Sequence, residues 1–430
     1  MAERRLLTKD FGTEGLQTLA VYERVGGYQG LRRAVKDLTP EAVAEEVTKS
    51  KLIGRGGAGF PTGRKWSLLA NIFPRYVICN ADESEPGCFK DRLLIDENPH
   101  QVIEGLLIAA YATQAHIAFI YIRGEYHDQR LLLERCVEEA RAAGYIGSAV
   151  AGSDFACDVI VHGGAGAYIC GEETALIDSL EGFRGQPRLK PPYYPAVKGL
   201  YMKPTVVNNV ETLSNLPHIV NNGGEWYAGI GTETSTGTRV WCCSGHINRP
   251  GCYELENGTP IRELIEEQCG GVWKGRSLKA FQPGGGSMQI LLPEHLDLPL
   301  DMDAVKKAGS SLGAGAMVFM DETTCLVNVS MRLVDFYHHE SCGKCAPCRE
   351  GTYFESDLMH RLESGECTPD ELNTLSDICD NMNGKCFCPL GDTATWFVMS
   401  AYAAFRDEFE AHCGAGTCPV RARGAQLVGV

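Results

Sequence analysis

Phe155-Ala-Cys-Asp-Val-Ile-Val-His162-Gly163-Gly164-Ala-Gly166-Ala-Tyr168-Ile-Cys-Gly171-Glu172-Glu173-Thr174 reads as a strand, a glycine loop and the start of a helix. Phe155–His162 is a short run of strand formers, and the glycines stop it. Glu173–Leu180 then follows as a short helix, with Glu172 and Glu173 in or beside a first turn whose dipole favours negative charge. In an open α/β sheet ligands bind at the carboxyl ends of the strands, where this loop lies.

Upstream the same alternation recurs. Tyr76–Asn80 is a short apolar strand, Pro99–Gln114 an amphipathic helix, His116–Arg123 a second strand, and Asp128–Ala143 a helix ended by Gly144. Such alternation predicts a parallel sheet covered by helices. Gly105–Ile122 carries no formal charge, but its periodicity changes midway and it contains Thr113, Gln114 and His116. It reads as a buried helix running into a strand, with no direct membrane insertion. Further upstream, Thr39 and Pro40 open a helix over Glu41–Lys51. The charged stretch Met1–Asp10 shows no secretory signal. Downstream, residues 239–325 have short strands around Arg249-Pro250-Gly251 and Glu256-Asn257-Gly258, with one helix near Ile261–Gln268. From Leu326 to about His412 the pattern is helical.

The net charge of −15 comes without a basic stripe, so nucleic acid is not an expected partner. The chain has 19 cysteines, an odd number, and ample apolar content for a core, which argues for reduced thiols and metal ligation over a disulfide scaffold. Glu340-Ser-Cys342-Gly-Lys-Cys345-Ala-Pro-Cys348-Arg-Glu-Gly351 sets three thiols at C-x2-C-x2-C spacing in one turn. Three thiolates so close can cap one face of a cubane, leaving one iron for a remote ligand. Zinc more often takes two separated C-x2-C pairs. Cys367, Cys379, Cys386 and Cys388 are within reach as the fourth ligand. Cys388 precedes Pro389, the habit of a cluster-closing cysteine, and Cys386 competes. Lys344 and Arg349 would offset cluster charge.

Gly54-Arg55-Gly56-Gly57-Ala58-Gly59-Phe60-Pro61-Thr-Gly63-Arg-Lys65-Trp66 contains G-x-G-x-x-G, yet a helix and not a strand precedes it. An ordinary Rossmann fingerprint is therefore excluded here. Backbone amides beside Arg55 and Lys65 suit a phosphate or a flat ring system. The first strand ends in Asn80-Ala-Asp82-Glu83-Ser-Glu85-Pro86-Gly87, three carboxylates that need hydroxyls, protons or a cation. Asn208 and Asn209, after Pro204-Thr-Val-Val207, add amides suited to a heterocycle edge.

These five segments, in this order between about Gly26 and Phe409, resemble the flavin-carrying, NADH-oxidising subunit of respiratory complex I, the F subunit of the NADH-quinone oxidoreductases. The resemblance implies FMN and NADH stacked in one cavity beside a [4Fe–4S] cluster. It implies an α/β multidomain chain with a Rossmann-like parallel FMN/NADH domain (63–238) after an N-terminal helical segment and glycine loop (1–62). A ubiquitin-like α+β domain (239–325) and a helical cluster-bearing bundle with a tail (326–430) follow. Carried over, Gly54, Gly56, Gly57, Lys65, Asn80, Asp82, Tyr168, Gly171, Glu172, Asn208, Asn209 and Thr212 look like flavin contacts. Phe60, Glu85, Glu173 and Lys190 look like nucleotide contacts, with Glu85 the candidate catalytic group. Arg55, Ala58, Gly59, Glu83, Tyr193 and Val207 complete the candidate cofactor set, and Cys342, Cys345, Cys348 and Cys388 the cluster ligands.

The implied partners are the other peripheral-arm subunits, above all a thioredoxin-like [2Fe–2S] subunit and a large iron–sulfur subunit. The implied location is cytoplasmic, on the cytoplasmic face of the inner membrane through the complex. A soluble NAD-linked hydrogenase or formate dehydrogenase has a diaphorase subunit with the same motifs and is the alternative. Two stretches depart from the family. Lys190-Pro-Pro-Tyr193-Tyr194-Pro195 replaces Lys-Pro-Pro-Phe-Pro, so either tyrosine could meet adenine. The segment with Cys413 and Cys418 before Val420–Val430 also lies outside the family's pattern; it is expected to be a surface tail, with metal binding by Cys413-x4-Cys418 as the alternative.

Overall fold

The computed structural model describes residues 5–422; the first four residues and the tail beyond 422 lie outside the described residues. The first sheet has four strands, β1 (Tyr76–Ala81), β2 (Ile117–Ile122), β3 (Asp158–Gly163) and β4 (Thr205–Asn209), all parallel in the order β3-β2-β1-β4. The chain steps outward from β1 to β3 and then returns to the other side of β1. That reversal is the topological switch point of an open parallel sheet. It puts Asn80 opposite Asn209 at the carboxyl ends of β1 and β4.

Helices α1 (Leu19–Arg24), α2 (Gln29–Asp37), α3 (Pro40–Lys49), α4 (Thr62–Ser67), α5 (Lys90–Glu97), α6 (Pro99–Thr113), α7 (His127–Ala142) and α8 (Glu173–Leu180) surround it. The Thr39 side chain accepts from the Ala42 amide at 3.2 Å, capping α3, and Pro40 opens it. α6 is buried along almost its whole length, because it lies between the sheet and the N-terminal helices. Among the described residues no helix is long and apolar enough to cross a membrane. Within the segment expected to be helical, only the Glu41–Lys51 helix is located from the sequence; α1, α2 and, further on, α5 are not. α1 and α2 are tied down by one buried carboxylate: Glu104 of α6 accepts from the Tyr28 and Leu31 amides at 2.8 and 3.0 Å and from the Tyr22 hydroxyl at 2.5 Å. A partner on another helix is invisible to local periodicity.

The second sheet contains β5 (Thr238–Gly245), β6 (Gly251–Glu256), β7 (Leu278–Gln282) and β8 (Ala316–Asp321) in the order β6-β5-β8-β7. Its central pair β5·β8 is parallel and both edges are antiparallel. The short helix Ile261–Glu263 runs straight into the wider turns of Leu264–Gln268 and packs Ile261, Leu264 and Ile265 against the sheet. The last unit is helical, with α9 (Leu326–Glu340), α10 (Ala346–Glu363), α11 (Pro369–Met382), α12 (Pro389–Ala404) and α13 (Arg406–His412). Of the expected surface tail, residues 414–417 are exposed and residues 423–430 lie outside the described residues; the correction concerns Cys418. Cys418 is buried, against Cys325 and the end of α13, since its thiol has polarisable partners in the bundle.

Candidate functional site: a cavity at the switch point and an adjoining cysteine pocket

A cavity of about 930 Å³ opens at the carboxyl ends of β1 and β4. It is large for one ligand and roomy enough for two ring systems. All three structural units contribute walls: the glycine loop Gly56–Gly59, the acidic turn after β1, and Tyr168, Gly171 and Glu172 after β3. Ser287–Gln289 and Ser310–Ser311 come from the second unit, and Pro389, Thr393 and Trp396 from the bundle.

The glycine loop is pinched shut by the Gly54 amide donating to the Phe60 carbonyl at 2.9 Å. A Cβ on Gly57, whose φ is +131°, would meet only Gly313 at 3.9 Å, and one on Gly171 only the Asp82 carbonyl at 3.8 Å. Both bare Cα atoms therefore border the space that a ring system would fill, which fits a flavin laid against backbone. Asn80 donates to the Gly171 carbonyl at 3.0 Å, holding the end of β1 to the loop between β3 and α8.

The carboxylates divide the work. Glu83 is buried and accepts from the Asp91 and Arg92 amides at 2.7 and 2.9 Å, so it fixes the first turn of α5. Asp82 lies against the cavity, and burial pushes its carboxyl up to about 7 against the opposing pull of the Ser84 hydroxyl and Arg123. Glu85 accepts from the Tyr168 hydroxyl at 2.9 Å and the Ser287 amide at 2.7 Å. Burial raises its carboxyl above the usual range, although Ser287 and Tyr168 pull the other way. Gly285, at φ +115°, lets that turn close on it: a Cβ there would fall 2.5 Å from Glu85 Cγ.

Glu172 caps α8, accepting from the Thr174 and Ala175 amides at 2.9 Å each. Lys190 bridges Glu172 and Glu173 at 2.9 and 3.2 Å, and Lys65 joins Glu173 at 2.9 Å and the Val207 carbonyl at 2.8 Å. Burial works to raise the Glu173 carboxyl, but the two ammonium groups outweigh it and hold it low.

Several expected contacts stand back from the cavity wall. Asn208 accepts from the Trp66 indole at 3.0 Å and is buried. Phe60 and Tyr194 are exposed and Tyr193 is half-buried, and none of the three lines the cavity. Arg55 is a correction. Its guanidinium is fully buried and donates to the Thr236 and Thr238 carbonyls at 2.7 and 3.0 Å, while its amide donates to the Thr212 hydroxyl at 2.9 Å. The long side chain reaches back into the core instead of toward a phosphate. Lys90 and Ser287 were not anticipated. Lys90 borders the cavity, wholly buried, 2.6 Å from Asp91 and 3.1 Å from Glu211. In Phe89-Lys90-Asp91-Arg92 it looks like one member of a solvated charge run, and only its distant partner Glu211 shows otherwise.

Cys342, Cys345, Cys348 and Cys388 line one pocket together, with Ile169 and Leu390. Cys386 does not line it; its Sγ lies 3.4 Å from the Met382 carbonyl. Among the described residues the only group of three or more His, Cys, Asp or Glu ligand atoms within 4.8 Å of one another lies elsewhere. A single zinc would draw its thiolates to about 3.8 Å apart, so this wider set suits a cubane. The turn is tied to the strand-end loop by Glu340 accepting from the Tyr168 amide at 2.9 Å and by Gln186 donating to the Cys342 carbonyl at 3.1 Å. Ile169, Cys388 and Leu390 line both this pocket and the large cavity.

A parallel α/β nucleotide site sharing a wall with a four-cysteine cluster pocket defines a flavin-dependent iron–sulfur oxidoreductase. Residues 47–218 match the Nuo51 FMN-binding domain, 242–291 the SLBB domain, and 328–412 the NADH-ubiquinone oxidoreductase-F iron-sulfur binding region. The chain belongs to the family of NADH-quinone oxidoreductase F subunits. It is 49% identical to the NADH-quinone oxidoreductase F 2 subunit of Rhizobium meliloti (strain 1021), over 93% of this chain and 96% of that protein. It is 50% identical to the F subunit of Mycobacterium bovis (96% and 94% covered) and 45% identical to that of Escherichia coli K12 (91% and 88%). Among solved structures, a chain of NAD+-reducing [NiFe]-hydrogenase in the H2-reduced state superposes with TM-score 0.81 at 33% identity, over 96% of this chain and 67% of that one. The protein is thus an NADH-oxidising flavoprotein subunit of a larger complex, with FMN and an iron–sulfur cluster as cofactors.

Proposed function

We propose that NADH and FMN share the switch-point cavity and that electrons leave through the wall formed by Ile169, Cys388 and Leu390. The observation that carries this reading is that wall, common to the cavity and the cysteine pocket. When bound, FMN takes a hydride as an electron pair and can release the electrons singly, and the cluster takes them one at a time. The chain itself must align two rings, exclude water and hold charge. Gly56–Gly59, Asn80, Asp82, Gly171 and Asn209 form the flavin side, with Asn208 and Thr212 behind it. Phe60, Glu85, Glu173, Lys190 and Tyr193 take the nucleotide side. Cys342, Cys345, Cys348 and Cys388 hold the cluster.

Glu85 is the group we assign to nucleotide affinity and the local proton count. Its carboxyl is raised, so it stays protonated above the ordinary carboxylate range. As pH climbs through the raised value a negative charge appears beside the site for an anionic nucleotide, and KM for NADH should rise. Glu85→Gln should hold KM near the low-pH value of the parent, a difference of about 3–10-fold at alkaline pH, and flatten the pH profile of ferricyanide reduction. If affinity and profile both stay as in the parent, the assignment is wrong.

The electron acceptors we assign are a thioredoxin-like [2Fe–2S] subunit and a large iron–sulfur subunit of a complex I peripheral arm on the cytoplasmic face of the membrane. The chain accounts for 88–96% of the length of the three bacterial F subunits but 67% of the hydrogenase chain, which favours complex I over a hydrogenase diaphorase. Purification with partners attached tests this: membrane subunits of the quinone-reducing complex should co-purify. Recovery with a hydrogenase or formate dehydrogenase would overturn it.

A further inference from the structure

At the end of the bundle away from the cluster turn, side chains from four separate chain positions converge. Cys325 immediately precedes α9, Glu363 ends α10, His412 ends α13, and Cys418 follows six residues later. All four are buried, and their ligand atoms lie within 4.8 Å of one another. The two Sγ atoms are 3.7 Å apart. Cys325 Sγ is 3.5 Å from His412 Nε2 and 3.7 Å from Glu363 Oε2, and those last two atoms are 3.8 Å apart.

We propose that these four residues form a structural zinc site. A tetrahedral zinc with ordinary Zn–S, Zn–N and Zn–O bonds has edges of about 3.8 Å between sulfurs and about 3.3–3.6 Å for the others. The sulfur–sulfur and Cys325–His412 edges, 3.7 and 3.5 Å, fit that figure, and the two edges to Glu363, 3.7 and 3.8 Å, are longer and would close by a few tenths of an ångström around an ion. A disulfide would need the sulfurs at about 2.05 Å. The outer contacts point the same way. His412 Nδ1 donates to the Glu408 carbonyl at 2.7 Å, which leaves the Nε2 lone pair facing the thiols. Glu363 Oε1 accepts from Asn328 Nδ2 at 3.0 Å, and the Asn328 amide points at Cys325 Sγ from 3.4 Å. Sulfur and imidazole donors select zinc over magnesium or calcium.

Four protein ligands leave no open position, so the site is structural. It staples Cys418 to Cys325, 93 residues earlier, and thereby the segment after α13 to the start of α9. α9 has 15 residues, so this site stands about 22 Å along the helix from the cluster end.

The test uses the full chain purified with flavin and cluster and dialysed against a weak chelator. Elemental analysis should find about one zinc per chain beside about four iron, and the zinc absorption edge, blind to iron, should report two sulfur and two nitrogen or oxygen neighbours. Cys418→Ser and His412→Ala should each lose the zinc while iron, flavin and NADH-dependent ferricyanide reduction stay unchanged, and should melt about 5 °C lower or more. Should either variant fail to fold, stripping zinc from the parent with a strong chelator should lower its melting temperature, and added zinc should restore it. Parent protein holding less than about a tenth of a zinc per chain, zinc retained by both variants, or a Cys325–Cys418 disulfide would each overturn the proposal.

Discussion

The two cysteine-bearing sites at opposite ends of α9 and α10 are built by opposite rules. The cluster pocket takes three ligands from one turn, Cys342 to Cys348, and a fourth from the start of α12. Its thiols are spread wider than a single ion allows, and three of the four are only half-buried. The other site gathers Cys325, Glu363, His412 and Cys418 from helix ends, all buried and tightly grouped. A site made by a turn leaves its spacing in the sequence. A site made by tertiary packing does not.

The largest effect that separates the two concerns the cluster's fourth ligand. Cys388→Ala should cost most of the iron and the cluster absorbance and reduce electron delivery to partner subunits by about 100-fold or more, with flavin retained. Cys386→Ala should keep the full iron content, because that thiol is turned toward the Met382 carbonyl. Iron analysis of the pair decides it, and iron loss from Cys386→Ala with retention in Cys388→Ala would reverse the ligand set. Neither variant should disturb zinc.

A smaller effect comes from α10 between the two sites. Glu355 is wholly buried, with the Cys379 thiol donating to one oxygen at 3.4 Å and no hydrogen-bond partner for the other. Burial pushes its carboxyl up to about 8, only partly opposed by Cys379. The native state therefore keeps a proton that the unfolded chain has lost above the ordinary carboxylate range. Stability should fall as pH rises toward about 8, by at most about 1.4 kcal/mol per pH unit, and level off above it. Glu355→Gln should flatten that dependence and be the more stable form at the alkaline end, as read by urea unfolding across pH. A parent whose stability rises over the same range would contradict this account. The contrast with Glu363, two turns along the same helix, is that Glu355 has no thiol and imidazole pair converging on it.

Much of the nucleotide site was legible because it too is made of turns. The glycines, the acidic turn and the loop from His162 to Thr174 are contiguous, and each borders the carboxyl edge of the parallel sheet. β4 and α5 were not legible: the Val206–Val207 pair is too short to declare a strand alone, and α5 depends on Glu83 accepting its first amides. Arg55 misled for the reverse reason. A cation among glycines looks like a phosphate ligand, and only the fold reveals the Thr236 and Thr238 carbonyls that claim it. Local chemistry survives in the sequence, whereas the direction a long side chain takes is decided by what packs opposite.

The smallest effect tests whether charge near the cluster tunes it while the far site stays electrically silent. Lys344 lies between two ligands, its ammonium 4.5 Å over the Phe387 ring and donating to the Pro187 carbonyl. The residue is exposed, so solvent screens it, and its attraction to the cluster's negative charge should be worth about 1 kcal/mol or less. Replacing it in Lys344→Met should lower the cluster potential by roughly 20–40 mV, measured by redox titration of the cluster's paramagnetic signal. His412→Ala, which acts at the other end of α9 on a metal without redox chemistry, should leave that potential unmoved. An equal shift in both variants would mean that the bundle transmits strain from one site to the other, and the two ends would no longer be independent.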